Sequence, residues 1–67
     1  MKIKFNHQLV DLPDNATLLD FLIAVNLHEA TGLAVAVHQN VISKSNWTSH
    51  VLNHNDEIMV IKATQGG

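Results

Sequence analysis

Two glycines, Gly66 and Gly67, follow closely on an apolar segment at positions 57–62 that has the pattern of a β-strand. Glycine has no Cβ and accepts φ angles of either sign, so a short glycine stalk can enter a channel too narrow for other residues. A carboxylate on such a stalk can be presented to the active site of another protein. We therefore predict that the reactive atoms of this chain belong to the Gly67 carboxyl group, with Thr64, Gln65 and Gly66 lying in the partner's channel.

The other side chains offer little for catalysis or metal binding. The sequence has no cysteine, which excludes thiolate zinc sites, iron–sulfur clusters and cysteine nucleophiles. His50 and His54 are four residues apart, but the residues around His54 favour a turn over a helix and no third ligand is evident. The acidic residues stand mostly at cap and turn positions. We predict neither a catalytic residue nor a metal site.

Length and charge narrow the class of protein further. The chain has 67 residues, enough for one small domain. Six acidic and four basic residues give a net charge of −2, and the lysines form no basic stripe, so we expect no nucleic-acid partner. No apolar run approaches the ~18 residues of a membrane span, and no signal-peptide segment is evident. We expect a soluble, cytoplasmic protein.

The first half of the sequence predicts a hairpin followed by a helix. Residues 1–6 alternate between apolar and polar, a turn is expected at 6–8, and a second strand at 9–12 ends before Pro13. Thr17 and Asp20 have the spacing of a capping box. Apolar residues then recur at helical spacing, which predicts a helix that ends near position 26 or 27.

The second half predicts three strands. A strand at 33–38 is followed by a turn at 39–40 and a short return strand at 41–42. Residues 43–47 are expected to form one helical turn whose Trp47 side chain closes the open edge of the core. A turn at 53–56 then leads into the last strand, 57–62.

This element order, β-β-α-β-β-β, predicts an α+β fold with one mixed sheet and the helix packed on one face. The first and last strands would lie side by side in parallel at the centre, which is the β-grasp or ubiquitin-like arrangement. Burial of that central strand would explain why residues 58–61 are continuously apolar. The prediction divides the chain into a β-grasp domain at 1–62 and a flexible di-glycine tail at 63–67.

Several segments of the sequence resemble one known family from end to end. They are KIKFN at 2–6, TLLDFL at 17–22, LAVAV at 33–37, VISKSNW at 41–47 and NDEI at 55–58. None is specific alone. Together with the length, the Trp47 turn and the terminal glycines, they resemble the ThiS family, the sulfur carrier proteins of thiamine biosynthesis. One departure is that Thr64 and Gln65 stand where the family usually has small or apolar residues, which bears on partner recognition.

The resemblance implies a carrier that is not itself an enzyme and binds no cofactor. An E1-like adenylating enzyme would use ATP to convert the Gly67 carboxylate to an acyl-adenylate. A persulfide sulfur donor would then convert it to a thiocarboxylate, and thiazole synthase would accept the sulfur. Alternatives are a carrier for molybdopterin synthesis or tRNA thiolation, a ubiquitin-like modifier joined to targets through Gly67, and a plain interaction module.

The last predicted strand also suggests a docking surface. If Ile58 and Val60 face the helix, Met59 and Ile61 face away from it and form an apolar patch beside the tail. Such a patch could dock the adenylating enzyme. The alternative is that the aliphatic stems of neighbouring lysines cover it.

Overall fold

The sheet and helix follow the predicted order in the computed structural model, which describes residues 1–62. The elements are β1 (Lys2–Phe5), β2 (Gln8–Asp11), α1 (Leu18–Ala24), β3 (Leu33–Val37), β4 (Asn40–Ile42), a 3₁₀ turn (Lys44–Asn46) and β5 (Glu57–Lys62). The sheet order is β2-β1-β5-β3-β4, and β1 pairs with β5 in parallel. The predicted topology is therefore confirmed, whereas the predicted tail at 63–67 lies outside the described residues.

Two tight turns set the register of the two hairpins. Asn6 and His7 have φ angles of 48° and 66°, so the β1–β2 connection is a two-residue turn with Phe5 opposite Gln8. Left-handed turns of this kind match the right-handed twist of paired strands. β2 therefore begins at Gln8, one residue before the predicted start.

The predicted turn at 39–40 is wrong by one residue. The turn residues are His38 and Gln39, with φ angles of 49° and 71°, and Val37 pairs with Asn40. Asn40 is thus the first residue of β4. Asparagine favours turns, but the pairing of the flanking strands places the two left-handed positions one residue earlier.

Helix α1 begins with the predicted capping box. Thr17 Oγ1 accepts a hydrogen bond from the Asp20 backbone N–H at 3.2 Å, and an Asp20 carboxylate oxygen accepts one from the Thr17 N–H at 2.9 Å. The helix ends at Ala24, earlier than predicted, because Asn26 adopts a left-handed φ of 62°. The Leu27 N–H then donates back to the Leu22 carbonyl at 2.8 Å, which closes the last turn.

The core lies between α1 and one face of the sheet. The helix contributes Leu18, Phe21 and Leu22, and the central strands contribute buried residues such as Ile3 and Val35. The predicted role of the Trp turn is confirmed, because Trp47 is 4% exposed and its Nε1–H donates to the Ile42 carbonyl at 3.0 Å.

Candidate functional site

β5 carries the chain through the centre of the sheet and beyond its neighbour β1. It pairs with β3 from Val37 opposite Ile58 to Leu33 opposite Lys62. Its parallel pairing with β1 covers Glu57 and Ile58 alone within the described residues. The second half of β5 therefore has a neighbouring strand on one side, and the chain continues towards Gly67 from that end of the sheet.

The start of β5 is fixed by Asp56, which is 7% exposed. One carboxylate oxygen lies 2.9 Å from His38 Nε2, and the other accepts the Asn53 N–H at 2.8 Å. The Asp56 carbonyl accepts the Lys4 N–H at 2.9 Å, which joins the turn to β1. The sequence placed Asp56 in a turn and showed no sign of the bond to His38, which is distant in the chain.

The outward side of β5 is apolar and open. Met59 and Ile61 are 53% and 54% exposed, whereas Ile58 is 2% exposed. The expectation that residues 58–61 are apolar because the whole strand is buried is therefore wrong, since the helix covers one face of the sheet. Residues paired across strands point to the same face, which places the 73%-exposed Val41 on this side through the pairs Ala36–Met59 and Ala36–Val41. We call Met59, Ile61 and Val41 the outer patch.

Two lysines of β1, Lys2 and Lys4, border the outer patch without covering it. Lys4 lies opposite Glu57 on the neighbouring strand. Lys2 Nζ instead reaches Asp11, with distances of 2.9 and 3.0 Å to the two carboxylate oxygens. These hydrogen bonds and the adjacent positive charge lower the pKa of Asp11 below its usual value. The Lys2 ammonium is thus held over β2, and Met59 and Ile61 keep about half of their surface exposed.

Two histidine side chains, those of His38 and His54, form hydrogen bonds in the turns around β5. His54 Nδ1 accepts the Lys2 N–H at 3.0 Å, which ties the turn before β5 to the start of β1. Within residues 1–62, no three His, Asp or Glu side chains are grouped so that they could hold a metal ion. Over the same range, no helix is long and apolar enough to cross a bilayer.

A mixed five-stranded sheet with parallel first and last strands at its centre, and one helix across one face, defines a β-grasp domain. The chain belongs to the ThiS family, whose family model matches residues 3–67. It is 27% identical to the sulfur carrier protein ThiS of Escherichia coli K12, with both chains fully covered. ThiS-family proteins are sulfur carriers and not enzymes, so the predicted class of function is confirmed.

Solved structures agree on the fold. The crystal structure of the thiamine biosynthesis protein ThiS from Geobacter metallireducens superimposes with a TM-score of 0.83 at 14% identity, and both chains are fully covered. SAMP1 from Haloferax volcanii superimposes with a TM-score of 0.66 at 17% identity, covering 98% of this chain and 97% of that one. At these identities the likeness bears on the fold alone.

Proposed function

We propose that this chain carries sulfur for thiazole formation in thiamine biosynthesis, as a thiocarboxylate on Gly67. The observation that carries the proposal is the extent of the family match, which reaches from residue 3 through Gly66 to Gly67. The match thus includes the segment that the sequence marks as reactive. The described domain supplies the rest of what a carrier needs, namely a compact body from whose central strand the chain continues to that segment.

A carboxylate is a poor electrophile, so the first step must give Gly67 a leaving group. The Gly67 carboxylate attacks the α-phosphate of ATP, pyrophosphate leaves and an acyl-adenylate forms. An E1-like adenylating enzyme would bind the ATP. The carrier therefore needs no cofactor of its own in this scheme. We place the reaction in the cytoplasm, where ATP and such enzymes are available.

The second step brings in sulfur from outside the chain. The terminal sulfur of a persulfide donor attacks the acyl carbon and AMP leaves, which gives an acyl disulfide. A thiol then attacks the donor-side sulfur, and the thiocarboxylate is released while that thiol and the donor form a disulfide. The absence of cysteine in the carrier fits this scheme, because all thiol chemistry belongs to the partners. Thiazole synthase would accept the sulfur.

We propose that the outer patch docks the adenylating enzyme while residues 64–67 enter its channel. Met59 and Ile61 lie on the same strand that leads to the tail, and they are exposed on the face opposite α1. Docking there would fix the position of Lys62, the last residue of β5, from which the chain continues to the tail. Gly66 would pass the narrowest part of the channel, and Thr64 and Gln65 would contact its wider entrance.

The test is the intact mass of the protein from sulfur-replete cells after treatment with a thiol-directed alkylating reagent. Alkylation is required because exchange of oxygen for sulfur has nearly the mass change of oxidation of Met1 or Met59 to the sulfoxide. Since the chain has no cysteine, a rapid adduct on the C-terminal peptide reports a thiocarboxylate. A variant that lacks Gly66 and Gly67 is the control and should give no adduct.

The outcomes separate the proposed carrier from its alternatives. An adduct that depends on Gly67, and that disappears when thiazole synthase and its substrates are added, supports the proposal. An adduct that persists with thiazole synthase but disappears with a different acceptor would identify another sulfur pathway. The absence of an adduct, even with the adenylating enzyme, ATP and a persulfide donor supplied, would overturn the proposal.

A further inference from the structure

We propose that the groove between the loop at 13–16 and helix α1 docks a basic segment of a partner protein. The segment would place one apolar side chain in the groove and lysine or arginine side chains beside it. This surface lies apart from the outer patch, so the inference does not depend on sulfur transfer.

The groove has the shape and lining of a docking surface. Its volume is about 420 Å³. Its apolar lining consists of Leu12, Pro13, Ala16, Ile23 and Ala24. Leu12 and Ala16 belong to the buried core and form a fixed floor, whereas Ile23 is 49% exposed on the helix. An exposed isoleucine at the wall of an apolar groove loses unfavourable contact with water when a partner covers it.

The negative charge around the groove favours a basic partner segment. Asp14 and Asp20 line it, and the Asp14 side chain is 87% exposed. The lining includes no lysine or arginine within the described residues. The N-terminal ammonium lies 3.5 Å from Asp14, an ion-pair distance at which an exposed carboxylate stays accessible to a second cation. One oxygen of Asp20 already accepts the Thr17 N–H in the capping box. The negative charge of the two carboxylates beside an apolar floor complements a cationic, partly apolar segment, and it repels nucleic acids and anionic membranes.

None of the four lysines lines this groove. Lys2 and Lys4 are on β1, Lys44 is in the 3₁₀ turn, and Lys62 ends β5. The groove is on the helix side of the sheet, while Met59 and Ile61 are on the opposite side. The two surfaces can therefore be occupied at the same time, and a partner held at the groove would leave the outer patch free.

Amide chemical shifts of the ¹⁵N-labelled full chain test the inference by titration with a blocked pentapeptide of alternating lysine and leucine. A matched peptide of alternating glutamate and leucine is the control. We expect shifts at Ala16, Asp20 and Ile23 with the basic peptide and none with the acidic one. Raising the salt to about 0.5 M should weaken binding, because the charge pairs are exposed.

Two variants separate the groove from general attraction to an acidic protein. Asp14→Asn should weaken binding of the basic peptide about two- to five-fold. Glu29→Gln removes a carboxylate that is 89% exposed and does not line the groove, and it should leave binding unchanged. Equal losses in both variants, or no shifts up to about 1 mM peptide at low salt, would overturn the inference. So would groove shifts that depend on protein concentration without peptide, since a second copy would then be the occupant.

Discussion

The Asp56 side chain accepts hydrogen bonds from two directions at the point where β5 begins. His38 approaches from the β3–β4 turn, and the Asn53 N–H comes from the turn before β5. The Asp56 side chain is 10% exposed, although the side chain of its partner His38 is 56% exposed. A single carboxylate therefore holds two turns against the strand that leads to the tail.

Replacement of Asp56 by alanine should lower the free energy of unfolding by about 1–3 kcal/mol, because the Asn53 N–H would lose its acceptor. Asp56→Asn keeps one oxygen as an acceptor and should cost less. Urea unfolding followed by Trp47 fluorescence measures both. Glu29→Ala, at a side chain that is 89% exposed, should change stability by less than about 0.5 kcal/mol. A similar small change in Asp56→Ala would show that the buried contacts contribute little.

At the scale of elements, the sequence predicted the start of the helix correctly, because the spacing of two residues there has one well-defined structural role. Thr17 and Asp20 form the capping box that their spacing predicts. The helix end was missed, because asparagine at position 26 is compatible both with a last helical residue and with the left-handed position that ends the helix. The β3–β4 turn was misplaced for a related reason, since strand pairing decided which two residues became left-handed.

Removal of the Thr17 hydroxyl tests how much the capping box contributes. Thr17→Ala should lower the free energy of unfolding by about 1 kcal/mol, and Thr17→Ser should be close to neutral because it keeps the acceptor. Since the two side chains cap each other's backbone, the double variant with Asp20→Ala should cost less than the sum of the single changes. Chemical unfolding of the unchanged chain, Thr17→Ala, Asp20→Ala and the double variant gives this coupling energy. Strict additivity of the two single changes would contradict a reciprocal cap.

At the scale of the whole molecule, the order of elements was sufficient to predict the parallel pairing of β1 and β5. The sequence also predicted that Met59 and Ile61 face away from the helix, which their exposure confirms. It could not reveal the groove beside α1, because the groove depends on how the loop at 13–16 packs against the helix near Ile23. Sequence periodicity identifies a helix face, whereas the concave surface depends on how the preceding loop packs.

The two faces of the molecule contain a matched pair of isoleucines that tests the proposed docking. Ile61, on the outer patch, is 54% exposed, and Ile23, on the helix side, is 49% exposed. Ile61→Ser should raise the KM for the carrier in the adenylation reaction about ten-fold, because exposed apolar residues at the centre of an interface contribute strongly to binding.

The kcat of adenylation should stay close to that of the unchanged chain, since the carboxylate and its activation are not altered. Ile23→Ser removes the same amount of apolar side chain from the other face, where the groove would bind a different partner that is absent from this assay. It should therefore leave both constants unchanged. Pyrophosphate release with the purified adenylating enzyme measures them. Equal effects of the two substitutions on KM would show that the adenylating enzyme does not dock specifically on the outer patch. A fall in kcat for Ile61→Ser alone would indicate that this residue positions the tail after binding.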